Sequence, residues 1–252
     1  MIPRLHIDAS LSSGAKIALR PDQAHYLRAV LRREVGAPVR VFNARDGEFE
    51  AVIAELGKKV AQAELGTQRR APQAEFDVHL LFAPVKRAAV EAIIQKGVEL
   101  GVQRFRPVLT ERTNAERVRV DRLSAIAMEA AEQCDRLSVP AVDEPAKLST
   151  LLDRWETDRA LLFCDEAGDD PDQPWGGDTG RAEPMQAAAR GLETTRYALM
   201  IGPEGGFSPD ERTRLRASPF VTPVTLGPRI LRADTAAIAA LVLLQAVKGD
   251  LG

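Results

Sequence analysis

The sequence predicts an α/β protein, a small β-rich region followed by a mostly parallel sheet covered by helices. Three observations carry this. From about residue 74, short apolar runs alternate with helix-length stretches, at 78–83, 87–100, 105–109, 117–137, 160–164 and 197–201. That βα alternation is the pattern of a parallel sheet. Before it, runs at 39–43 and 48–56 flank a turn containing Asp46-Gly47, which favours a hairpin. Between the two regions, Gln68-Arg69-Arg70-Ala71-Pro72-Gln73 is a short polar link with a proline. It places one domain over 1–70 and a second over 74–252.

In the first domain the segment 21–33 reads as a helix. Leu27, Val30 and Leu31 form its apolar side. His25, Arg28 and Arg32, spaced i, i+3, i+7, share another face. That face suits phosphates as well as it suits plain solvation. Gly57 breaks the second hairpin strand, and 58–65 alternates as a third. In the second domain the helix 87–100 turns Ile93, Ile94 and Val98 inward and stops at Gly101. Lys86 and Arg87 open it, and Gln95, Lys96 and Glu99 lie near its end. Glu111-Arg112-Thr113 follows the next strand, where loop residues tend to be functional. Gln133 and Arg136 close the long helix 117–137. The stretch 166–183, rich in Gly, Pro and Asp, reads as a mobile surface loop, more a tolerated insertion than a catalytic lid.

Residues 197–234 organise the chain. They hold two apolar strands that each run into Gly-Pro, at Gly202-Pro203 and Gly227-Pro228, and a helix follows each. Ser208-Pro209-Asp210-Glu211 is a strong helix start, with Ser at the cap, Pro at the first position and Glu three residues on. After the second junction, Asp234 or Thr235 is placed to cap the apolar run 236–247. Two such junctions at the carboxyl ends of parallel strands mark a small-ligand position. Gly202, Gly205, Gly206 and Gly227 offer backbone groups to a flat heterocycle, and Ile230 and Leu231 an apolar wall.

Ile201-Gly202-Pro203-Glu204-Gly205-Gly206-Phe207 with Leu226-Gly227-Pro228-Arg229-Ile230-Leu231-Arg232 resembles the signature of the RsmE family. His25 with Val30-Leu31-Arg32, Gln95-Lys96 with Glu99-Leu100-Gly101-Val102, and Glu132-Gln133-Cys134 with Arg136 resemble further motifs of that family. The resemblance implies an S-adenosylmethionine-dependent methyltransferase of the SPOUT class that methylates uridine at N3 in small-subunit ribosomal RNA. It implies a trefoil knot in the second domain and a PUA-like RNA-binding barrel in the first. The cofactor would lie against Ile201, Gly202, Pro203, Gly205, Gly206, Leu226, Gly227, Ile230, Leu231 and Thr235. RNA, free or in the small subunit, would meet His25, Arg28, Arg32, Lys86, Arg112, Gln133 and Arg136. A homodimer is implied too, and the long apolar run 236–247 agrees, since one buried side does not absorb it.

The chemistry narrows the catalytic candidates. Uracil N3 is a poor nucleophile until its proton leaves, so a base must reach it and a donor must stabilise the charge on the ring oxygens. Glu204 is the first choice of base or orienting carboxylate, with Asp234 second and Arg232 as the stabilising cation. A structural role for Glu204, holding its own loop, is the alternative. At Ala233-Asp234 the family usually has Thr-Glu, which shortens one carboxylate and removes one hydroxyl.

Composition sets the remaining bounds. The chain has 252 residues, 45% hydrophobic and 28% charged, as in ordinary globular proteins. No apolar run approaches a membrane span. The opening Met-Ile-Pro-Arg-Leu-His lacks a secretory pattern, and Cys134 and Cys164 lack metal-ligand or disulfide spacing, so a reducing cytoplasm is expected. His6, His25 and His79 form no ligand set, so no metal is expected. No Walker-type loop and no G-x-G-x-x-G after a strand is present, against an ATPase or Rossmann enzyme. Net charge is −2, but 1–45 carries eight basic against three acidic residues, and 165–183 seven acidic against one basic. A basic amino-terminal region suits RNA. A SPOUT ribose 2′-O-methyltransferase and a non-catalytic RNA-binding protein on the same scaffold are the alternatives. Gly202-Pro203-Glu204 and Arg232-Ala233-Asp234-Thr235 depart from the motifs of the former.

Overall fold

A computed structural model describes residues 2–57, 60–114, 118–165 and 182–251. The start of the expected strand at Lys58, the start of the expected helix at Arg117 and the loop 166–181 lie outside the described residues. The chain divides into two compact units, Met1–Ala74 with Met128–Val139, and Glu75–Ala127 with Pro140–Gly252.

The first unit is built on a five-stranded sheet in the order β1-β3-β4-β5-β2. Its elements are β1 (Arg4–His6), β2 (Lys16–Ala18), α1 (Pro21–His25), β3 (Pro38–Asn43), β4 (Gly47–Leu56) and β5 (Ala61–Arg70). β1 pairs β3 in parallel, and the other pairings are antiparallel. Period-two alternation sends Phe49, Ala51 and Ile53 of β4 into a core with Leu5, Leu27, Val41 and Ala63. The hairpin turn needs its glycine: Gly47 has φ +83°, and a Cβ there would lie 2.1 Å from the Arg70 carbonyl oxygen. β5 runs on to Arg70, so the first half of the expected polar link is paired strand, Gln68 opposite Phe49 and Arg70 opposite Glu48.

The helix expected over 21–33 is shorter and irregular. α1 gives way to a π turn, Tyr26–Val30, closed by the Leu31 N–H on the Tyr26 carbonyl at 2.9 Å. The wider turn breaks the 3.6-residue period. Leu27 stays fully buried, but Val30 swings out to 60% exposure, against its expected place on the apolar side. Arg32 lies beyond the helix with φ +52°. His25, Arg28 and Arg32 are all exposed, yet they share no regular helical face. Residues 128–139 complete this unit. Buried Arg4 donates to the carbonyls of Ala131, Glu132 and Arg136 at 3.0, 3.1 and 2.8 Å, and to the Glu48 carboxylate at 2.7 Å. It thereby satisfies carbonyls that a helix end leaves open.

The second unit carries a parallel sheet. In chain order it holds β6 (Asp77–Phe82), α2 (Arg87–Glu99), β7 (Arg104–Leu109), the start of α3 (Val120–Gln133), β8 (Ala141–Val142), β9 (Ala146–Lys147) and α4 (Leu148–Asp153). Then come β10 (Ala160–Cys164), β11 (Glu183–Pro184), α5 (Met185–Gly191), β12 (Arg196–Ile201), α6 (Pro209–Ala217), β13 (Val221–Thr225) and α7 (Ala233–Lys248). The order is β11-β13-β10-β12-β6-β7-β8, with β9 also on β7. Strands this covered read as continuous apolar runs, and Leu161, Leu162, Phe163, Ala198 and Leu199 are fully buried. The chain steps from β6 to β7 on one side, then returns to build β10, β12 and β13 on the other. Such a reversal opens a crevice at the carboxyl ends of the strands.

The helices refine the sequence reading. Ile93, Ile94 and Val98 of α2 are buried, and Gly101 at φ +83° follows its end. α3 stops at Gln133, short of the expected 137, and Asp135 turns the chain with φ +62°. Arg136 therefore lies past the helix. Neither Asp234 nor Thr235 caps α7. The cap position is Arg232, and the Asp234 carboxylate accepts the Thr235 N–H inside the first turn at 2.9 Å. Among the described residues no helix is long and apolar enough to cross a membrane.

Candidate active site

A cavity of about 380 Å³ opens beyond the carboxyl ends of β10 and β12, within the ~300–1,000 Å³ usual for small-molecule sites. The loop after β12 forms one wall with Ile201, Gly202, Pro203, Glu204, Gly205, Gly206 and Phe207. The approach to α7 and its first turn form another with Ile230, Leu231, Arg232, Ala233 and Ala236. Cys164, Asp165 and Arg212 complete it. The first Gly-Pro junction and the segment that follows the second thus face one space. Leu226, Gly227 and Thr235, expected there, are not among the described residues that line it.

Local chemistry explains this loop. At Gly202 the missing Cβ makes room for protein: a Cβ would lie 2.5 Å from the Phe207 ring. Phe207 in turn packs edge-on to Phe163, with centroids 4.9 Å apart. Gly206 has φ +67° and open space where a Cβ would stand, and its N–H closes a turn on the Pro203 carbonyl at 2.9 Å. The loop ends at Ser208, which caps α6. Its Oγ accepts the Glu211 N–H at 3.2 Å, and the Glu211 carboxylate accepts the Ser208 N–H at 3.0 Å.

The polar groups divide into held and exposed ones. The Asp165 side chain is 1% exposed and is gripped by Arg212 Nε at 2.8 Å, Arg212 Nη2 at 3.1 Å and Arg216 Nε at 2.7 Å. Sequence reading missed this trio. An acid directly after an apolar strand and two arginines one helical turn apart were the available signal. The Glu204 side chain is exposed and has no hydrogen bond or ion pair among the described residues, so it does not hold its own loop. Arg232 is also exposed on the cavity lining. Asp234 is half-buried in the first turn of α7. Arg112 donates Nη1 to the Gly205 carbonyl at 3.1 Å. Lys86 is exposed at the cap of α2. Of the remaining candidates, all in the first unit, His25, Arg28, Arg32 and Gln133 are exposed, and Arg136 donates to Ser138 Oγ at 2.9 Å.

Apolar walls, accessible main chain and a few polar points suit a ligand that joins a flat heterocycle to a small polar group. Comparison with known proteins takes this further. A model described as an RNA methyltransferase domain matches residues 72–245, and an RNA methyltransferase PUA domain matches 19–66. Ribosomal RNA small subunit methyltransferase E of Synechocystis sp. is 32% identical, covering 92% of this chain and 74% of the relative. The chain belongs to the small-subunit methyltransferase E family. Another member of the family, from Rickettsia conorii, is 29% identical over 94% of this chain and 93% of its own. The Neisseria gonorrhoeae member, solved bound to S-adenosyl methionine, superposes with TM-score 0.81, 26% identity and full coverage of both chains. A Legionella pneumophila structure holding the cofactor SAM gives TM-score 0.81 at 30% identity over 99% of both chains. The first unit thus carries a PUA-like domain and the second the methyltransferase fold.

Proposed function

We propose that this chain transfers a methyl group from S-adenosylmethionine to N3 of a uridine in small-subunit ribosomal RNA. The observation that carries the reading is the cavity walled on one side by the loop at Gly202-Pro203 and on another by Ile230–Arg232, just after Gly227-Pro228, in a chain of this family. Ile201, Gly202, Pro203, Gly205, Gly206, Ile230 and Leu231 would hold the methyl donor, with Leu226 and Gly227 in the connection before Ile230 and Thr235 in the first turn of α7. When bound, that cofactor supplies a methyl group made electrophilic by its sulfonium. Glu204 takes the N3 proton, its carboxylate being exposed at the cavity and bound to nothing else among the described residues. Arg232 offsets the charge that spreads onto the ring oxygens. Asp234 supports the first turn of α7 and is the second candidate for the base.

We assign the grip on RNA to the domain at 1–70, through His25, Arg28 and Arg32, helped by Lys86, Gln133 and Arg136, and the chemistry to 74–252. The trefoil knot of the SPOUT class belongs to the loops after β12 and β13 in this reading. In this reading the protein meets its ribosomal RNA substrate in the cytoplasm. We assign it a homodimer as well: Thr235, Val242 and Ala246 of α7 are exposed on one side of a helix whose other side, with Ala237, Leu241 and Leu244, is buried, and a second copy would cover them. A monomer in light scattering at micromolar concentration would remove the dimer alone. The function itself is tested by mass mapping of ribosomal RNA nucleosides from cells with and without the gene. Loss of a 3-methyluridine with the gene is expected, and an unchanged signal rejects the reading.

A further inference from the structure

We infer that Arg112 and Glu211 are positioning residues: they brace the loop 202–206 against the turn at 110–113, and this brace sets affinity for the methyl donor. The inference rests on the function proposed above and reassigns Arg112, which the sequence had placed on RNA.

The turn is pre-formed. The Thr110 N–H donates to Thr113 Oγ1 at 2.9 Å, the two hydroxyls lie 2.8 Å apart, and the Thr113 N–H donates to the Thr110 carbonyl at 3.1 Å. From this base the Arg112 guanidinium reaches the Gly205 carbonyl at 3.1 Å. Its stem lies along the same residue, with Arg112 Cβ 3.6 Å from where a Gly205 Cβ would stand. A second tie runs through Glu211. One carboxylate oxygen accepts the Ser208 N–H at 3.0 Å, the other the Glu111 N–H at 2.9 Å. One side chain therefore starts α6 and fastens the turn to it.

The loop needs such support. Gly205 and Gly206 are consecutive glycines, which lose the most backbone freedom when ordered. A ligand that met a loose loop would bear that ordering itself, and a loop already held binds more tightly. The brace acts on the cofactor wall, so its loss is read in donor affinity. A phosphate contact by Arg112 would be read in RNA affinity and in its salt dependence.

The test titrates the full chain with S-adenosylmethionine by calorimetry and, separately, with small-subunit particles that lack the modification, across a salt series. The unsubstituted protein comes first. If it binds no donor, the proposed function fails and this inference with it. Arg112→Ala is expected to weaken donor binding about tenfold to a hundredfold, the worth of a charged hydrogen bond, with particle affinity and salt slope unchanged. Arg112→Lys, which keeps a donor for the carbonyl, is expected to recover most of the donor affinity. Glu211→Gln has one acceptor oxygen for two N–H groups and is expected to shift the same way as Arg112→Ala. Unchanged donor affinity in Arg112→Ala, or a loss confined to particle binding with a shallower salt slope, overturns the inference and leaves the function standing. Should Arg112→Ala fail to fold, Arg112→Lys decides: a tenfold loss of donor affinity there overturns it.

Discussion

Glu204 and Gly202 stand two residues apart on one loop and do different work. Gly202 is glycine because Phe207 occupies the position its side chain would need. Its conformity to the motif is a packing fact, whereas the sequence by itself suggests bare backbone offered to a ligand. Gly202→Ala is expected to displace Phe207 from Phe163 and to cost about 1–3 kcal/mol of stability, as overpacking does, measured by urea denaturation. An unchanged midpoint would show that the ring relaxes freely. Glu204 is the opposite case, a carboxylate with no structural partner among the described residues. Glu204→Gln is expected to lower kcat by about 10²–10⁴, the usual worth of a general base, with donor affinity and thermal stability intact. A kcat within a few-fold of the unsubstituted protein would transfer the role to Asp234.

At the scale of elements, Gln245 shows how a polar residue enters an apolar helix. It is 1% exposed in α7. Its Nε2 donates to the Leu100 carbonyl at the end of α2, at 2.8 Å, and its Oε1 accepts the Asp250 N–H at 3.1 Å. Gln245→Leu removes the donor from a half-buried helix end and is expected to destabilise the fold by about 1–3 kcal/mol, read as a lower Tm. An equal Tm would mean that water serves the carbonyl as well. This bond also marks where sequence reading stops. The longer strands β3, β4, β6, β7, β10 and β12, with α2 and the start of α6, were legible because apolar period, Gly101 and the Ser208–Glu211 box act locally; the two- and three-residue strands β1, β2, β8, β9 and β11 are too short to show a period. Leu100, which Gln245 reaches, and the arginines that grip Asp165 come from elements far along the chain, and no local spacing announces them. The π turn after α1 was hidden for a related reason. Leu27, Val30 and Leu31 fit a regular helix as written, and the departure shows only in the fold, where Val30 faces out and the Arg33 N–H reaches the Leu27 carbonyl at 2.8 Å. The cavity lay in between: two Gly-Pro junctions in a parallel sheet predicted its place, and Ile201–Phe207 with Ile230 and Leu231 do line it.

For the molecule as a whole, acid sensitivity is set in part far from the cavity. At the amino end of the parallel sheet Arg159, 2% exposed, grips Asp77 with Nη1 at 2.7 Å and Nη2 at 3.0 Å, and donates to the Tyr197 carbonyl at 3.0 Å. Arg196 adds a bond to Asp77 at 3.3 Å. His79, two residues on in β6, is buried beside them, with Nε2 3.7 Å from Asp77. Burial first, then the Arg159 charge, lowers its pKa from 6.5 to about 4, against the pull of Asp77. The folded chain thus keeps His79 neutral over a range where the unfolded chain protonates it. The unfolded state binds the extra proton, so stability falls as pH drops. The loss begins near the unfolded value of 6.5, grows until about 4 and then levels. Its full size is about 3 kcal/mol, at ~1.4 kcal/mol per unit. His79→Leu removes the proton site and keeps an apolar side chain on the buried strand. It is expected to flatten this part of the stability profile, measured as urea midpoints for the unfolding of the sheet unit between pH 7 and 4.5. Parallel profiles for the two proteins would show that His79 carries none of the acid sensitivity.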